Sequence, residues 1–597
     1  MTDTLAPLAV AIEHDPRPAK VPAPAPPLLS VRGLSVAFAS RKDSIDAIRG
    51  VSFDISAGES VAIVGESGSG KSVTARALLG VAGGNATVSA ERLSWGAVDL
   101  RGLSERQWRG IRGRRIALVL QDALSSLDPL RRVGAEVAEP LDVHGLVPPA
   151  QRRFRVRELL SSVGVPRPEV RARQYPHELS GGLRQRALIA SALAGEPELV
   201  IADEPTTALD VTVQAQILDL LADLKARGTA LLVISHDLAV VARIADRVLV
   251  MRDGIVVEEG PTHRVLTRPE HEYTRRLLDA VPGPDSRGRR LSAEATPPAG
   301  SEVAAEASIA ASTAPVVLRA EALRKTYRAP GGNDTVALDD VSFELRRSEI
   351  LGVVGESGSG KSTAARLVLG LTEPDSGGVE FLGERWSGVA ESKRRARRPR
   401  IQHISQDPLG SFDPRQRAGA IVSDALARVG VPRAQRAAEV ERLLMSVGLP
   451  SDAAARRPAS LSGGQRQRVA IARALATRPD VLVCDEAVSA LDVSIQAQVL
   501  DLLADLRDRT GVALLFISHD LGVIHHIADR VLVMKDGRIV ERGDVENVFT
   551  APQHPYTQQL LASLPALPHR ERASASRGFG AEPHRNGSTE RIPHAQD

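Results

Sequence analysis

The sequence predicts an α/β protein: two copies of one domain in tandem, each a largely parallel sheet flanked by helices and carrying a helical subdomain. Three observations carry this. Residues 210–225 match residues 492–507 at 12 of 16 positions, Ile-Ser-His-Asp-Leu occurs at 234–238 and again at 517–521, and Arg-Val-Leu-Val-Met occurs at 247–251 and 530–534. A period this long means duplicated domains, not a solenoid. Short apolar runs of strand length alternate with helical patterns, the signature of parallel strands joined by crossover helices. Finally, Gly65-Glu66-Ser67-Gly68-Ser69-Gly70-Lys71-Ser72 recurs unchanged as Gly355-Glu356-Ser357-Gly358-Ser359-Gly360-Lys361-Ser362.

Taken in order, residues 1–27 are rich in Pro and Ala and read as a disordered tail. They lack a basic start followed by an apolar core, so no signal peptide is expected. The first copy spans 28–282 and the second 315–565. Between them, 283–314 is rich in Ala, Ser, Pro, Gly and charge and reads as a flexible linker. A coil of that length spans roughly 30 Å, enough to let two domains meet face to face. The tail 566–597 is polar and expected to be disordered. Within the copies, 61–64, 199–202 and 231–234 are buried-strand candidates, as are 351–354, 481–484 and 514–517. Segments 133–175 and 418–458 lack strand runs and show Arg/Glu/Leu periodicity, so they read as helical insertions.

The repeated Gly-rich octapeptide fits G-x-x-x-x-G-K-[ST], the P-loop. In both copies an apolar run precedes it and a plausible helix follows, at 72–79 and 362–369. Glycines let backbone N–H groups close around phosphate oxygens, and the helix N-terminus adds partial positive charge. Lys71 and Lys361 would reach the β- and γ-phosphates, and Ser72 and Ser362 would hold Mg²⁺. The competing reading, a glycine-rich turn with an incidental Lys-Ser, has to explain two occurrences in the same setting.

Asp203-Glu204 closes one apolar run and Asp485-Glu486 its counterpart. A carboxylate at the C-terminal end of such a strand lies beside the P-loop. Asp203 and Asp485 would hold Mg²⁺, partly through water. Glu204 and Glu486, pointing the other way, would polarise the attacking water as general bases, worth roughly 10²–10⁴-fold in rate. The alternative is an acidic strand end capping a turn.

Bulk properties exclude several classes. Net charge is +3, from 76 Lys+Arg against 73 Asp+Glu, too even to argue for nucleic-acid binding. Aromatics are 3%, which gives little base-stacking surface. Cys484 alone cannot form an intramolecular disulfide, a Cys-rich zinc site or a Cys-ligated iron–sulfur cluster. No run of about 18 apolar residues occurs, so no membrane span is expected.

Leu179-Ser180-Gly181-Gly182-Leu183-Arg184-Gln185-Arg186 and Leu461-Ser462-Gly463-Gly464-Gln465-Arg466-Gln467-Arg468 are second phosphate nests at helix N-termini. With the P-loops they resemble the ABC transporter ATPase family in a tandem, two-domain form, over nearly all of both copies. The resemblance implies two tandem P-loop NTPase domains packed head to tail, with ATP sandwiched between them. ATP on Lys71 would be closed by Ser462, Gly463 and Gly464, and ATP on Lys361 by Ser180, Gly181 and Gly182. It further implies nucleotide contacts from Gly65, Ser67, Gly68, Gly70 and Val73, and from Gly355, Ser357, Gly358, Gly360 and Thr363. Gln121 and Gln406 resemble the Q-loop glutamine, which senses Mg²⁺ and faces the membrane partner. Ala208-Leu209-Asp210 and Ala490-Leu491-Asp492 resemble the D-loop that links the two sites. His236 and His519 resemble the switch histidine that contacts the γ-phosphate, although a lone His after a strand is more often structural. Phe38 and Tyr327 are candidates for the aromatic that stacks on adenine; each could instead be core. Two departures stand out. The family usually has Gln where Leu183 stands, and Pro-Thr where Ala487-Val488 stands, which should loosen the turn after Glu486. No catalytic residue is lost, so two hydrolysis-competent sites are expected.

Two further features resemble the peptide/opine/nickel importer branch: extended Q-loops at 121–129 and 406–414, and His-x-Tyr-Thr extensions at 271–278 and 554–561. Some relatives in that branch carry an iron–sulfur cluster in the extension; with Cys484 alone, none is expected here. The resemblance implies an ATPase on the cytoplasmic face of the cell membrane, hydrolysing ATP with Mg²⁺ to drive uptake of di- or oligopeptides. Its expected partners are two separate integral membrane permeases and an extracytoplasmic solute-binding protein, with no nucleic acid. The same machinery could import glutathione, nickel, opines or peptide-like antibiotics. A soluble tandem ATPase acting on ribosomes or DNA is the alternative of a different class. It fits poorly with a Pro/Ala/Ser-rich linker and the lack of zinc-binding cysteines.

Overall fold

A computed structural model describes residues 26–564 apart from 40–43, 122, 207–208, 284–285, 293–313, 329–333 and 490. Most of both expected tails and of the expected linker, and Ala208 and Ala490 of the D-loops, therefore lie outside the described residues.

The α/β duplication is borne out. The first copy has a six-stranded sheet in the order Ile255–Pro261, Arg247–Arg252, Ser60–Val64, Ala230–Ile234, Leu199–Asp203, Ile116–Val119. Only the edge pair Ile255–Pro261/Arg247–Arg252 is antiparallel; the other pairings are parallel. The second copy repeats this order with Arg538–Asp544, Arg530–Lys535, Ile350–Val354, Ala513–Ile517, Val481–Asp485 and Ile401–Ile404. The inner strands are buried along their whole length, which is why they read as unbroken apolar runs rather than as alternation.

Alternate residues of one strand serve two different cores. Val61 and Ile63 face a cluster with Leu29, Val31, Phe53 and Trp95 from a second, antiparallel sheet. Ala62 and Val64 face helices and strand ends bearing Val241, Val248, Tyr273 and Leu277. The P-loop strand is thus clamped between a sheet and a helical layer, and its C-terminal end is held in place from both faces. The antiparallel sheets, built on Leu29–Ala39 and Val316–Arg328, were not among the expected elements.

The helical insertions form as expected: Val133–Val143, Arg152–Ser162 and Pro168–Arg171 in the first copy, Ala418–Arg428 and Arg433–Ser446 in the second. Val137, Leu141, Leu159 and Leu160 bury their apolar stripe against Ile189 of the helix Gly181–Leu193. Among the described residues, no helix is long and apolar enough to cross a membrane.

The copies touch. The helix Glu272–Asp279 packs against Val493–Thr510 of the other copy. The first residues of the stretch expected as linker are also engaged. Arg287 donates to the carbonyls of His525 and Ala528, at 3.1 and 2.6 Å. The amides of Leu291 and Ser292 donate to Asp501, and Leu291 is buried in the second copy's core.

Candidate nucleotide site

Each P-loop leaves its strand and enters its helix, Lys71–Leu78 or Lys361–Val368, through glycines with positive φ. Gly68 is at 82° and Gly70 at 99°; Gly358 is at 85° and Gly360 at 102°. Gly65 admits no side chain: a Cβ there would sit 2.1 Å from the carbonyl oxygen of Met251, and one on Gly355 would sit 2.2 Å from that of Met534. The loop therefore presents bare backbone, with Lys71 and Lys361 buried beneath it. Lys71 Nζ donates to the carbonyls of Gly65 (2.7 Å) and Glu66 (2.8 Å), and Lys361 Nζ to those of Gly355 (2.6 Å) and Glu356 (2.8 Å). Burial lowers the pKa of both ammonium groups, opposed by carboxylates nearby: Asp492 and Glu204 for Lys71, Glu486 and Asp210 for Lys361.

Several of the residues expected at each site converge. Ser72, on the first turn of its helix, donates to Asp203 at 2.9 Å, and Ser362 to Asp485 at 3.3 Å. Burial raises the pKa of both aspartates. The next residue turns its side chain elsewhere because Glu204 and Glu486 sit at φ 49° and 51°, a reversal at the strand end. Gln121 Nε2 donates to Glu204 at 2.7 Å and Gln406 Nε2 to Glu486 at 2.9 Å. His236 Nδ1 lies 3.1 Å from Glu204, and His519 Nδ1 3.3 Å from Glu486. Burial works against both imidazolium ions, but the paired carboxylates outweigh it and raise the histidine pKa values. The hydrogen bond to His519 lowers that of Glu486, against burial. Each site thus separates two carboxylates: one shared with a serine hydroxyl, the other bracketed by a glutamine and a histidine.

The glutamines therefore contact the glutamates, not the Ser–Asp pair. At the turn after Glu486, expected to be loosened by Ala487-Val488, the φ of Glu486 matches that of Glu204. Ser489 donates its hydroxyl to the Glu486 carbonyl at 3.0 Å, and Ala487 and Val488 are buried.

Ser180 and Ser462 cap the helices Gly181–Leu193 and Gly463–Leu475, accepting from the amides of Leu183 (3.4 Å) and Gln465 (3.2 Å). Only the second is a full capping box, because Gln465 Oε1 accepts from the Ser462 amide at 3.1 Å and Leu183 has no group to do so. Gly182 and Gly464 lie against Val213 and Ile495; an added Cβ would come within 2.6 and 2.4 Å. Phe38, half-buried on Leu29–Ala39, packs on the antiparallel-sheet core, whereas Tyr327 is 37% exposed beside Lys325. Val73 and Thr363 follow the P-loop serines on the first helical turn.

The sites are joined across the copies. The carboxylate of Asp492 accepts the backbone N–H of Ser67 at 2.8 Å, and Thr212 donates to Glu356 at 2.7 Å. Asp492 of one D-loop and Thr212, two residues past the other, thus reach the opposite P-loop. Reading the sequence missed one participant. The hydroxyl of Tyr273 accepts the N–H of Glu66, and that of Tyr556 the N–H of Glu356, both at 3.1 Å. The only signal available was the repeated His-x-Tyr-Thr.

A family model described as ABC transporter matches residues 48–207 and 338–489, and one described as the C-terminal region of oligopeptide/dipeptide transporters matches 257–305 and 540–588. The glutathione import ATP-binding protein GsiA of Escherichia coli is 44% identical over 566 residues, 91% of each chain. The oligopeptide transport ATP-binding protein OppD of Mycobacterium tuberculosis is 42% identical over 603 residues, 90% of this chain and 98% of that one. The solved structure of cbiO1 from Clostridium perfringens covers 40% of this chain and 91% of its own, at 27% identity and a TM-score of 0.36.

Proposed function

Because the chain belongs to the ABC transporter family, we propose that it is the ATP-hydrolysing subunit of an importer that takes up di- or oligopeptides. The observation that carries the cargo class is the peptide-transporter C-terminal region, matched behind both ATPase domains. The relatives named for glutathione and for oligopeptide import favour the same class, glutathione being itself a tripeptide.

In this reading ATP lies on each P-loop, its phosphates on the loop amides and on Lys71 or Lys361. The oxygen donors of Ser72 with Asp203, and of Ser362 with Asp485, fit a hard divalent cation held by one carboxylate, one hydroxyl and the nucleotide. Mg²⁺ there would neutralise charge on the phosphate oxygens. Glu204 and Glu486 accept a proton from the attacking water. Gln121 and His236, or Gln406 and His519, hold each carboxylate in place. Ser180 to Gly182 and Ser462 to Gly464 close the site on the opposite copy, and Phe38 and Tyr327 stack on adenine. ATP binding closes the two copies and hydrolysis reopens them. Only interactions that differ between the two states can move a partner. The partners are two integral membrane permeases and an extracytoplasmic solute-binding protein, which place this subunit on the cytoplasmic face of the membrane. We include no iron–sulfur cluster, since buried Cys484 is the lone cysteine.

The test is uptake of a labelled tripeptide by cells lacking the gene, complemented with the wild type or with Glu204→Gln/Glu486→Gln. Uptake should return only with the wild type, while the purified double variant still binds ATP but turns it over at least about a hundredfold more slowly. Equal uptake in all strains would remove peptide as the cargo; near-normal hydrolysis by the variant would remove the glutamates as bases.

A further inference from the structure

We propose that Tyr273 and Tyr556, in the C-terminal extensions, are positioning residues of the two P-loops and set their affinity for ATP. This rests on the reading that the P-loops hold ATP.

Tyr273 and Tyr556 are buried, 5% and 4% exposed, yet their hydroxyls accept the N–H of Glu66 and Glu356 inside the phosphate-binding loops. The carbonyls of those same glutamates hold Lys71 and Lys361. One residue therefore has its N–H fixed by the tyrosine and its C=O fixed on the lysine that reaches the phosphates. Packing alone would need only a phenylalanine at this position. The hydroxyl adds an acceptor for that amide, and leaving a half-buried N–H unsatisfied would free the loop to search for another.

The tyrosine is itself rigidly mounted. In the first copy Glu258, on the edge strand Ile255–Pro261, accepts the amides of Glu270 (2.9 Å) and His271 (3.1 Å). His271 Nδ1 then accepts the amide of Tyr273 at 3.1 Å, capping the helix Glu272–Asp279. In the second copy Glu541 accepts from Gln553 (2.8 Å) and His554 (3.1 Å), and His554 Nδ1 from Tyr556 (3.1 Å). A cation lies over each ring: the Arg252 guanidinium at 5.1 Å and the Lys535 ammonium at 4.6 Å. The chain of contacts from sheet edge to P-loop is the same in both copies, residue for residue. In the first copy it also explains a division of labour. The Glu66 N–H is held by the copy's own extension, whereas the neighbouring Ser67 N–H is held by Asp492 of the other copy.

The experiment compares the full-length wild type with Tyr273→Phe/Tyr556→Phe, measuring ATPase kinetics and melting temperature without nucleotide. The expected result is a KM for ATP raised about five- to tenfold, with kcat within about twofold and the melting temperature nearly unchanged. Leu278→Ala, which truncates a buried packing residue of the same helix, is the packing control. It should lower the melting temperature and leave KM alone. An unchanged KM in the tyrosine variant overturns the proposal, as does a KM that rises equally in Leu278→Ala. Failure of the underlying reading has a separate signature: Lys71→Ala/Lys361→Ala would bind ATP like the wild type.

Discussion

Each site holds a histidine against the glutamate expected to act as base, and the pairing fixes how that unit responds to pH. His236 and His519 have pKa values raised above the ordinary imidazole value by their carboxylates, against the pull of burial. A raised histidine stabilises the fold fully below its unfolded pKa and loses that contribution as pH rises through its folded pKa. Glu486 is lowered, so its contribution is present above the ordinary carboxylate value and fades as pH falls through the depressed one. The second site's pair is therefore strongest between those limits, in mildly acid to neutral solution. Replacing both histidines with Gln should flatten the fall in melting temperature on the alkaline side of about pH 6.5; an undiminished slope in a pH series of melting curves would show that these imidazoles are not its source. At this scale much of the site was legible in advance. Lys71, Ser72, Asp203, Glu204 and His236 belong to local patterns whose spacing places them at the ends of adjacent strands. The roles of Tyr273 and Tyr556 were not legible, because each meets its P-loop only after about two hundred intervening residues have folded.

Among the elements, the duplicated helices show what one substitution does. Gly181–Leu193 and Gly463–Leu475 have the same length and the same serine cap, but only the second closes a capping box. Gln465→Leu would turn the second into the first, and should cost about 0.5–1 kcal/mol, one modest hydrogen bond, read as a lower denaturation midpoint. Leu183→Gln should recover less, since Leu183 also packs against the helical core. Equal midpoints for wild type and Gln465→Leu would mean the reciprocal bond has no energetic role. The strands of the main sheet were readable because full burial forces apolar runs. The antiparallel sheets were not, because Leu29–Ala39 and Val316–Arg328 mix buried and exposed positions with bulged register and carry no short motif. After Glu486, where Ala487-Val488 stands in place of Pro-Thr, the chain reverses at the same φ as at Glu204 and the Ser489 hydroxyl ties the turn to the Glu486 carbonyl.

For the whole molecule, the crossed contacts make a directional prediction. Asp492 reaches Ser67 and Thr212 reaches Glu356, so the copies already serve one another's P-loops. If the signature serines cross in the same sense, as proposed, Ser462→Arg should impair chiefly ATP on Lys71. Nucleotide trapping in a chain that also carries Lys361→Ala would detect it, and trapping at wild-type level there would refute the crossing. The stretch 286–292 adds a second tie, through Arg287, Leu291 and Ser292 to the second copy. Repetition made the duplication itself unmistakable in the sequence, but that stretch has the composition of a linker, and its anchoring depends on Asp501 and on the carbonyls of His525 and Ala528.

The bond from Asp492 to Ser67 also bears on inheritance. A duplicated gene is usually free to let one half drift while the other keeps the task. Here a change in the second half lands on the loop of the first, so neither half can be relaxed without exposing the other to selection. The units on which selection would act are diagonal pairs, Asp492 with the first P-loop and Thr212 with the second.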